Sequence, residues 1–473
     1  MSMIPRIGII GGGFAGIMTA VNLIKKTTTP LELYIIGERS NFARGTAYES
    51  YLDKHILNVT TGKMSAFPDQ PSHFLDWVMS RPSFRDLPKD IVSSSFLSRN
   101  LYGDYLCELW QESIKIAEEK EINVVELVDT VIKLTNTEDG IELSFLNSPS
   151  IKVDKCVVAT GNQIPKNPSI PNLPFFKSPN YFQNPWKKEC VGDVNSSRPI
   201  LIIGNGLTMV DTILGLQDHK FKGEIYSISP NGFNILPHRH TGLTYQAHLE
   251  EIHDKMSLKE LTSVIHKHVK IVRQFGVSAE PIIDALRPHT QRIWRNLTVV
   301  EKQFFMSRLR HLFGVARHRI PLHIYDKIQK LRIDGLLHIQ SGKIIDITET
   351  DRGIDVTYFD KKQRKTQFLN VSRVINCTGP ETDFSKLENN FLGQCIHDGI
   401  FYQDELKLGI QTNVENFKVK SKDGMEHSNL FTLGSNLKGE LWESTAVNEL
   451  RQQANAIADI ILAEENFIDG SNK

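Results

Sequence analysis

The chain lacks the features that mark several large classes of protein. Its 473 residues include only five cysteines, and no two of them stand in a CxxC pair. This usage argues for a reducing compartment and against a disulfide-exchange enzyme or a zinc ribbon. The 16 histidines include no HxxxH pattern with a matching carboxylate, so we predict no metal site.

Excess charge is also absent. Lysine plus arginine number 55 and aspartate plus glutamate number 55, so the formal net charge is zero. This balance predicts neither a nucleic-acid surface nor an anionic membrane partner. Because no stretch is long and apolar enough to span a bilayer, we expect a cytoplasmic protein with no nucleic-acid partner and no membrane partner.

What the chain does contain is one two-part pattern, present twice. A glycine-rich turn follows an apolar run at residues 7–16 and again at 200–208. Each copy later has an apolar strand that ends in Thr-Gly, at Thr160-Gly161 and at Thr378-Gly379. A glycine-rich turn between a strand and a helix is typical of dinucleotide binding. Two copies predict two dinucleotides, a flavin and a nicotinamide that reduces it.

The first glycine-rich turn carries every part that such a site requires. Gly11 permits a tight turn, Gly13 lets the backbone approach a pyrophosphate, and Gly16 lets helix and strand pack closely. The helix that begins here offers free N–H groups and a partial positive charge to the phosphates. A second apolar run ends in Glu38, where an acid would accept from an adenosine ribose hydroxyl. A turn that binds no ligand is the alternative.

The second turn is less complete. Gly204 and Gly206 keep the tight turn and the close approach, but Met209 stands where the third glycine would be. The strand after this helix ends without an acid, and Arg239 is the nearest arginine for a 2′-phosphate. The pattern therefore favours neither NADH nor NADPH, and a Rossmann-like unit that binds nothing is the alternative.

The fold class follows from these two copies. In each copy, strand-like segments joined by glycine-containing turns precede the Thr-Gly strand, which predicts an antiparallel meander. We predict an α/β protein with two Rossmann-like dinucleotide-binding domains and an inserted helical layer. The predicted divisions are a first FAD-binding segment 1–165, a proline-rich linker 166–197, an NAD(P)-binding domain 198–373 and a second FAD-binding segment 374–473.

Residues from about 245 to 321 have a helical period instead. Capping boxes at 257–260 and 298–301 begin helices, and apolar residues recur at three- and four-residue spacing. We predict a helical layer inserted into the second domain, with a substrate cap as the alternative. The cationic cluster Arg317-His-Arg319 is predicted to be a solvated loop, with an acidic substrate or a nicotinamide phosphate as its alternative ligand.

These motifs resemble the FAD- and NAD(P)-binding monooxygenase superfamily, in particular flavin-containing monooxygenases and N-hydroxylating enzymes. Those enzymes carry the pattern FxGxxxHxxx(F/Y/W) after the first Thr-Gly, and residues 176–186 keep its spacing. The glycine of the pattern is Ser178 here, and the histidine is Phe182. The segment 55–69, which includes Asn58, resembles the family's asparagine segment near the flavin.

Other segments are similar to a bacterial branch of FAD/NAD(P)-binding proteins, some of them described as urate-hydroxylase-like. These segments are Gly45-Thr-Ala-Tyr48, Leu57-Asn-Val59, Tyr102-Gly103 and residues 441–447. The acid that usually follows the last flavin-contacting glycine is absent, because Gly434 precedes Ser435 and Asn436. The resemblance then implies that backbone N–H groups of the helix after Thr445 donate to the flavin carbonyls.

The resemblance implies an FAD- and NAD(P)H-dependent monooxygenase that hydroxylates a small molecule through a C4a-hydroperoxyflavin. The expected partners are that substrate and O₂, and a homodimer is left open. Asn58 is the candidate catalytic residue, bonding the hydroperoxide or the nicotinamide amide, with a turn-capping asparagine as the alternative. Met64 would pack along the flavin or fill the core, and Arg99 would meet a phosphate or an internal carboxylate.

The candidate cofactor-binding residues come from the two turns and from the resemblance. They are Gly11, Gly13, Phe14, Ala15, Gly16, Glu38, Arg39, Thr46, Met64, Arg99, Thr160, Gly161, Gly204, Gly206, Leu207, Thr208, Gly379, Gly434 and Thr445. Two other functions stay open. The loss of the glycine and histidine at Ser178 and Phe182 favours a reductase or dehydrogenase that passes electrons to a quinone or other acceptor. A non-catalytic, redox-sensing protein that holds FAD is the third hypothesis.

Overall fold

A computed structural model describes residues 4–39, 42–49, 55–195, 197–239, 243–387 and 390–470, with only the backbone described at 466–470. The chain divides into two compact units. Unit 1 comprises Met1–Asn162, His289–Val299 and Thr382–Lys473, and unit 2 comprises Gln163–Pro288 and Val300–Glu381. Residues 1–3 and 471–473, which belong to the two predicted FAD-binding segments, lie outside the described residues.

The described residues form seventeen strands. In chain order they are β1 (Arg6–Ile10), β2 (Glu32–Gly37), β3 (Asn123–Val128), β4 (Val131–Thr137), β5 (Gly140–Phe145), β6 (Ile151–Val153), β7 (Lys155–Val158), β8 (Tyr181–Phe182), β9 (Ile200–Ile203), β10 (Ile225–Ser229), β11 (Leu337–Thr350), β12 (Gly353–Asp360), β13 (Lys365–Val371), β14 (Arg373–Asn376), β15 (Thr412–Asn413), β16 (Lys418–Lys420) and β17 (Glu426–Thr432).

The α-helices of the described residues are fifteen. They are α1 (Phe14–Lys26), α2 (Gly45–Tyr48), α3 (His73–Met79), α4 (Lys89–Ser94), α5 (Arg99–Glu119), α6 (Leu207–Asp218), α7 (Leu258–Arg273), α8 (Glu280–Leu286), α9 (Thr290–Asn296), α10 (Val299–Phe304), α11 (Arg310–Arg317), α12 (Leu322–Ile333), α13 (Phe391–His397), α14 (Lys438–Leu441) and α15 (Val447–Gly470). Among the described residues, no helix has the length and apolarity needed to cross a membrane.

Unit 1 is built on a sheet of order β15-β16-β17-β7-β1-β2-β3. The strands from β17 to β3 are mutually parallel, so their carboxyl ends meet at one edge of the sheet. The run β1 is buried at Ile7–Ile10, with α1 on one side and the strands β4 to β6 on the other, where Leu143 and Val153 lie against Gly8. The helix α1 also packs against α5 and α15. The strands β4, β5 and β6 form a separate antiparallel sheet, as the meander pattern predicts.

Unit 2 repeats this plan with a sheet of order β13-β12-β11-β10-β9-β14-β8. Its strand β9 lies between the parallel strands β10 and β14. The long strand β11 pairs in parallel with β10 through its first half and antiparallel with β12 through its second. The predicted second meander is therefore continuous with the parallel sheet, with a register shift between Ile344 and Asp346.

The helices α7 to α12 lie between β10 and β11 in the chain; α7 to α11 fall within the predicted insertion of about 245–321, and α12 follows it. At the start of α7, Ser257 accepts from the Glu260 backbone N–H while the Glu260 carboxylate accepts from the Ser257 N–H, which confirms that capping box. At the second predicted box, Glu301 accepts from the backbone N–H of Leu258 at 2.7 Å, so this carboxylate serves the start of α7.

The chain divides differently from the predicted segments in three places. The predicted linker 166–197 belongs to unit 2, where β8 pairs with β14. The predicted boundary at 373/374 falls inside β14, and the chain re-enters unit 1 at Thr382. Residues 289–299 of the predicted insertion belong to unit 1, because the buried Trp294 packs there.

Trp294 is the anchor of that returning segment. Its indole Nε1–H donates to the Gly439 carbonyl at 2.7 Å, and its ring stacks on Trp442 with centroids 5.1 Å apart. Trp294 is only 2% exposed, so the ring contributes most of its apolar area to unit 1. Gln291, which donates to the Glu443 carbonyl, and Arg295, which pairs with Glu415, also hold this segment in unit 1.

We predict that Trp294→Ala lowers the free energy of unfolding by about 3–5 kcal/mol, because a large buried side chain leaves a cavity. Trp294→Phe should cost about 1–3 kcal/mol through the lost bond to the Gly439 carbonyl. Urea unfolding followed by circular dichroism measures both. The control Leu146→Ala, at a side chain 65% exposed, should stay within about 0.5 kcal/mol of the parent. Equal unfolding midpoints for Trp294→Ala and the parent would contradict the assignment.

Candidate functional site

The first glycine-rich turn leaves the carboxyl end of β1 at the shared edge of the unit 1 sheet. Gly11 has φ +122°, and its N–H donates to the Ile36 carbonyl at 2.8 Å. A Cβ at this position would overlap the Ala159 carbonyl oxygen, so only glycine fits between β1 and the end of β7. A Cβ at Gly16 would overlap the Gly11 carbonyl oxygen, which confirms the close packing of helix and strand.

Gly13 has a different reason to be glycine. It is the residue before α1, with φ −86°, and no side chain caps this helix end. A Cβ there would have the Gly45 Cα as its nearest atom at 3.4 Å, so the fold itself tolerates a methyl group. The N-terminal turn of α1, formed by Phe14, Ala15 and Gly16, is thus open to a phosphate group.

Glu38, Arg39 and Thr46 lie beside this turn. Glu38 directly follows β2, whose parallel pairing with β1 puts its carboxyl end next to the first turn, and the side chain is exposed. Arg39 forms an ion pair with Glu49, with Nη1 and Oε2 2.8 Å apart. Thr46 is exposed on α2. Glu38 is therefore placed to accept a hydrogen bond, whereas the charge of Arg39 is already paired.

The ends of β7 and β17 complete the edge. Thr160 and Gly161 follow β7, and a Cβ at Gly161 would meet no atom within 4 Å. Gly434 follows β17, and its N–H donates to Gln453 Oε1 at 2.8 Å. Thr445 is exposed two residues before α15. Gly161 therefore faces open space at this edge of the sheet.

Buried polar atoms without a partner surround Gly434. In the described part of the chain, no hydrogen bond reaches Ser435 Oγ, Asn436 Oδ1, Ser444 Oγ or Gln453 Nε2. Asn436 Nδ2, by contrast, donates to Thr432 Oγ1 at 3.0 Å. Unpaired buried polar groups are costly, so they call for a polar occupant. The hydroxyls, carbonyls and ring nitrogens of FAD supply both donors and acceptors, so the residues present fit this cofactor.

Asn58 and Met64 lie on the predicted asparagine segment 55–69, and Arg99 is the first residue of α5. The segments pair, with an antiparallel bridge between Ile56 and Ser98 and the Arg99 N–H donating to the His55 carbonyl at 2.8 Å. This pairing places Asn58 and Arg99 on neighbouring segments of the chain. Both residues are half-buried. Met64 is 3% exposed within the apolar core of unit 1, which favours its core-filling interpretation.

An aromatic cluster lies behind this segment, and sequence reasoning missed it. The rings of Tyr48 and Tyr102 are 4.7 Å apart, and Phe14 at the start of α1 contacts both. Burial raises the pKa of Tyr48 to about 12, although Arg99 acts in the opposite direction. The fully buried Tyr102 hydroxyl has no hydrogen-bond partner among the described residues. These phenols stay protonated at neutral pH, so they can donate.

The second turn repeats the first in unit 2. Gly204 has φ +105°, and a Cβ there would overlap the Cys377 carbonyl oxygen at the end of β14. Gly206 precedes α6 without a side-chain cap, and its Cβ position is free of atoms within 4 Å. Gly379, which follows β14, is equally open. The N-terminal turn of α6, begun by Leu207 and Thr208, is half-buried, while Met209 is buried at 1% exposure in place of a third glycine.

Arg239 is not free for a phosphate. Its Nε donates to Glu280 Oε2 at 2.7 Å and its Nη2 to Ser278 Oγ at 2.9 Å. Arg319, from the cationic cluster, is 8% exposed and donates to both carboxylate oxygens of Asp284 at 2.5 Å. Because Arg319 is buried and paired, the expectation of a wholly solvated loop is wrong for this residue.

The degenerate 176–186 pattern also belongs to unit 2. Ser178 Oγ accepts from the Asn180 N–H at 3.1 Å, and Phe182 lies in β8 under the Arg373 guanidinium. Phe182 has no hydrogen-bonding group in place of the histidine. The described residues include no group of three or more His, Cys, Asp or Glu side chains that could hold a metal ion.

Comparison with known proteins agrees with this geometry. Residues 8–163 match a family model described as FAD-NAD(P)-binding. No curated protein matches the sequence significantly. Three solved structures illustrate the likeness of the fold, each covering 98% of this chain.

An ornithine N-hydroxylase from Kutzneria sp. 744, solved with reduced FAD, NADP⁺ and L-ornithine, is 12% identical with a TM-score of 0.66 over 100% of its chain. L-lysine 6-monooxygenase from Pseudomonas syringae is 15% identical with a TM-score of 0.64 over 99% of its chain. Bacillithiol disulfide reductase from Bacillus cereus is 13% identical with a TM-score of 0.56 over 100% of its chain. At these identities the likeness establishes the fold. Residues 8–163 thus match the FAD-NAD(P)-binding model, and the chain shares its fold with an ornithine N-hydroxylase, a lysine monooxygenase and a disulfide reductase.

Proposed function

We propose that this protein is an NAD(P)H-dependent flavin monooxygenase that hydroxylates a small molecule. The observation that carries the proposal is a pair of glycine-rich turns, one in each unit, which we call the first cradle (Gly11–Gly16) and the second cradle (Gly204–Thr208). Each lies beside a parallel strand that leads into Thr-Gly. The first has unpaired buried polar atoms around Gly434 and is assigned to FAD. The second has only open backbone and is assigned to the nicotinamide nucleotide. An ornithine hydroxylase and a lysine monooxygenase share the fold.

When bound, the flavin supplies the redox chemistry: it accepts a hydride and activates O₂ at C4a. The protein's own groups would hold and orient the bound cofactor. The N-terminal turn of α1 faces the pyrophosphate, Glu38 accepts from the adenosine ribose, and Asn436 Oδ1 and Ser435 Oγ serve the polar flavin side chain. Asn58 is proposed as the hydrogen-bond partner of the activated oxygen or of the nicotinamide amide.

The substrate class is the finer part of the proposal. The enzymes that share the fold are named for ornithine and lysine, both small molecules with a primary amine. We propose a small molecule of this general size as substrate, with O₂ as co-substrate.

A reductase that passes electrons to a quinone or similar acceptor is the second candidate. Ser178 and Phe182 replace the glycine and histidine of the monooxygenase pattern, and a disulfide reductase shares the fold. Transfer to a disulfide is disfavoured, however, because burial raises the pKa of the Cys156, Cys377 and Cys395 thiols, to about 12 at Cys377. Such thiols are poor nucleophiles.

Anaerobic mixing of the FAD-loaded protein with NADH or NADPH should bleach the flavin absorbance, because a nicotinamide hydride reduces the ring. Oxygenated buffer added next should yield a transient absorbance distinct from both oxidised and reduced flavin. Stopped-flow spectroscopy records both steps. Direct return to the oxidised spectrum, with fast reduction of an added quinone, would favour the reductase. No bleaching by either nucleotide would refute both enzyme hypotheses and leave the FAD-holding protein.

Single methyl groups test the two cradles separately. Gly13→Ala should weaken FAD binding by about tenfold or more, and Gly206→Ala should do the same for the nicotinamide nucleotide alone, because each methyl blocks backbone approach to a phosphate. The nearest protein atom to the added methyl is 3.4 Å away at Gly13, and none lies within 4 Å at Gly206, so folding is spared. Flavin content per chain and nucleotide titration measure the effects.

The matched control is Gly192→Ala, whose added methyl has the Lys188 carbonyl oxygen at 3.6 Å as its nearest atom. This variant should keep both affinities. Thermal melting checks that all three variants fold. Unchanged FAD content in a folded Gly13→Ala protein would count against the assignment of the first cradle.

A further inference from the structure

The carboxyl end of β10 is the place in unit 2 that decides between the two nicotinamide nucleotides. In a Rossmann unit an acid at the end of the second strand binds the ribose 2′-hydroxyl of NADH, and a nearby cation accommodates the 2′-phosphate of NADPH. Here β10 ends at Ser229 and continues through Pro230, Asn231 and Gly232, without a carboxylate. Ser229 Oγ accepts from the Gly232 N–H at 3.0 Å, which fixes this turn.

A cation from a distant part of the chain lies at this turn. Lys361 follows β12, and its Nζ donates to the Pro230 carbonyl oxygen at 2.7 Å. The Lys361 backbone N–H donates to the Ser341 carbonyl at 2.9 Å, and Ser341 Oγ donates to the Pro230 carbonyl at 3.2 Å. Ser341 pairs with Ser229 in the parallel ladder of β10 and β11. The sheet register therefore holds the ammonium group beside the end of β10.

The charge of Lys361 is not spent on a carboxylate. The side chain is exposed, and none of the ion pairs in the described part of the chain involves it. Its neighbour Asp360 is 5% exposed and accepts from the backbone N–H groups of Lys362 and Gln363 at 2.8 Å. An ammonium carries three donors, and only one is used at Pro230. Two donors are left for a ligand, in contrast to the paired guanidinium of Arg239.

We propose that Lys361 binds the 2′-phosphate of NADPH and makes the protein prefer NADPH to NADH. The side-chain amide of the exposed Asn231 lies on the same turn and adds further donors to this phosphate subsite. NADH gains nothing there, because no carboxylate accepts its ribose hydroxyl. This inference rests on the proposed assignment of the second cradle to a nicotinamide nucleotide.

The test is isothermal titration calorimetry of the FAD-loaded protein with NADP⁺ and with NAD⁺, which needs no turnover. The parent protein should bind NADP⁺ more tightly than NAD⁺. Lys361→Gln should weaken NADP⁺ binding about tenfold, the loss expected for one charge-assisted hydrogen bond, and leave NAD⁺ binding unchanged. Lys361→Arg should restore most of the NADP⁺ affinity, because it keeps the charge.

The adjacent exposed lysine supplies the control. Lys362→Gln removes the same charge one residue away and should leave the ratio of the two dissociation constants as in the parent. Equal weakening of NADP⁺ and NAD⁺ by Lys361→Gln would show that the lysine only supports the turn, and would overturn the inference. Equal affinity of the parent for both nucleotides would also overturn it, while the proposed function would stand. If neither nucleotide binds, both fail.

Discussion

One steric constraint underlies both halves of this molecule: a backbone carbonyl occupies the space where a side chain would begin. At Gly11 the carbonyl belongs to Ala159 at the end of β7, and at Gly204 it belongs to Cys377 at the end of β14. At each glycine the turn lies directly against the end of β7 or β14. The helix that follows each turn has no side-chain cap at its N-terminus. A side chain at either glycine would therefore push the turn away from this strand end.

The two cradles differ in what surrounds that shared geometry. Around the first, buried hydroxyl and amide oxygens of Ser435, Asn436 and Ser444 have no hydrogen-bond partner among the described residues. Desolvated polar groups of this kind gain most from a ligand that stays bound. Around the second, glycines face open space, Arg239 is already paired with Glu280, and Lys361 contacts only a backbone carbonyl. A resident flavin and an exchanging nicotinamide are the occupants that best match this difference.

Local features were readable from the sequence, and long-range ones were not. The turns at Gly11 and Gly204, both meanders and the capping box at Ser257 depend on a few adjacent residues, and the structure contains all of them. The return of Trp294 to unit 1 and the placement of Lys361, 131 residues from its carbonyl partner, depend on tertiary packing that leaves no periodic signal. The pairing of Arg239 was missed for the same reason, since Glu280 lies 41 positions away.

The position of β17 in the unit 1 sheet bears on how the protein is made. This strand lies directly beside β7, and Thr432 donates to the carbonyl of Val158, 274 positions earlier. Unit 2 ends at Glu381, so all of its residues leave the ribosome before β17 does. Domains commonly fold from the N-terminus as synthesis proceeds, but here the unit that begins first is completed last. A nascent chain therefore displays the first glycine turn with the sheet behind it unfinished until β17 has emerged.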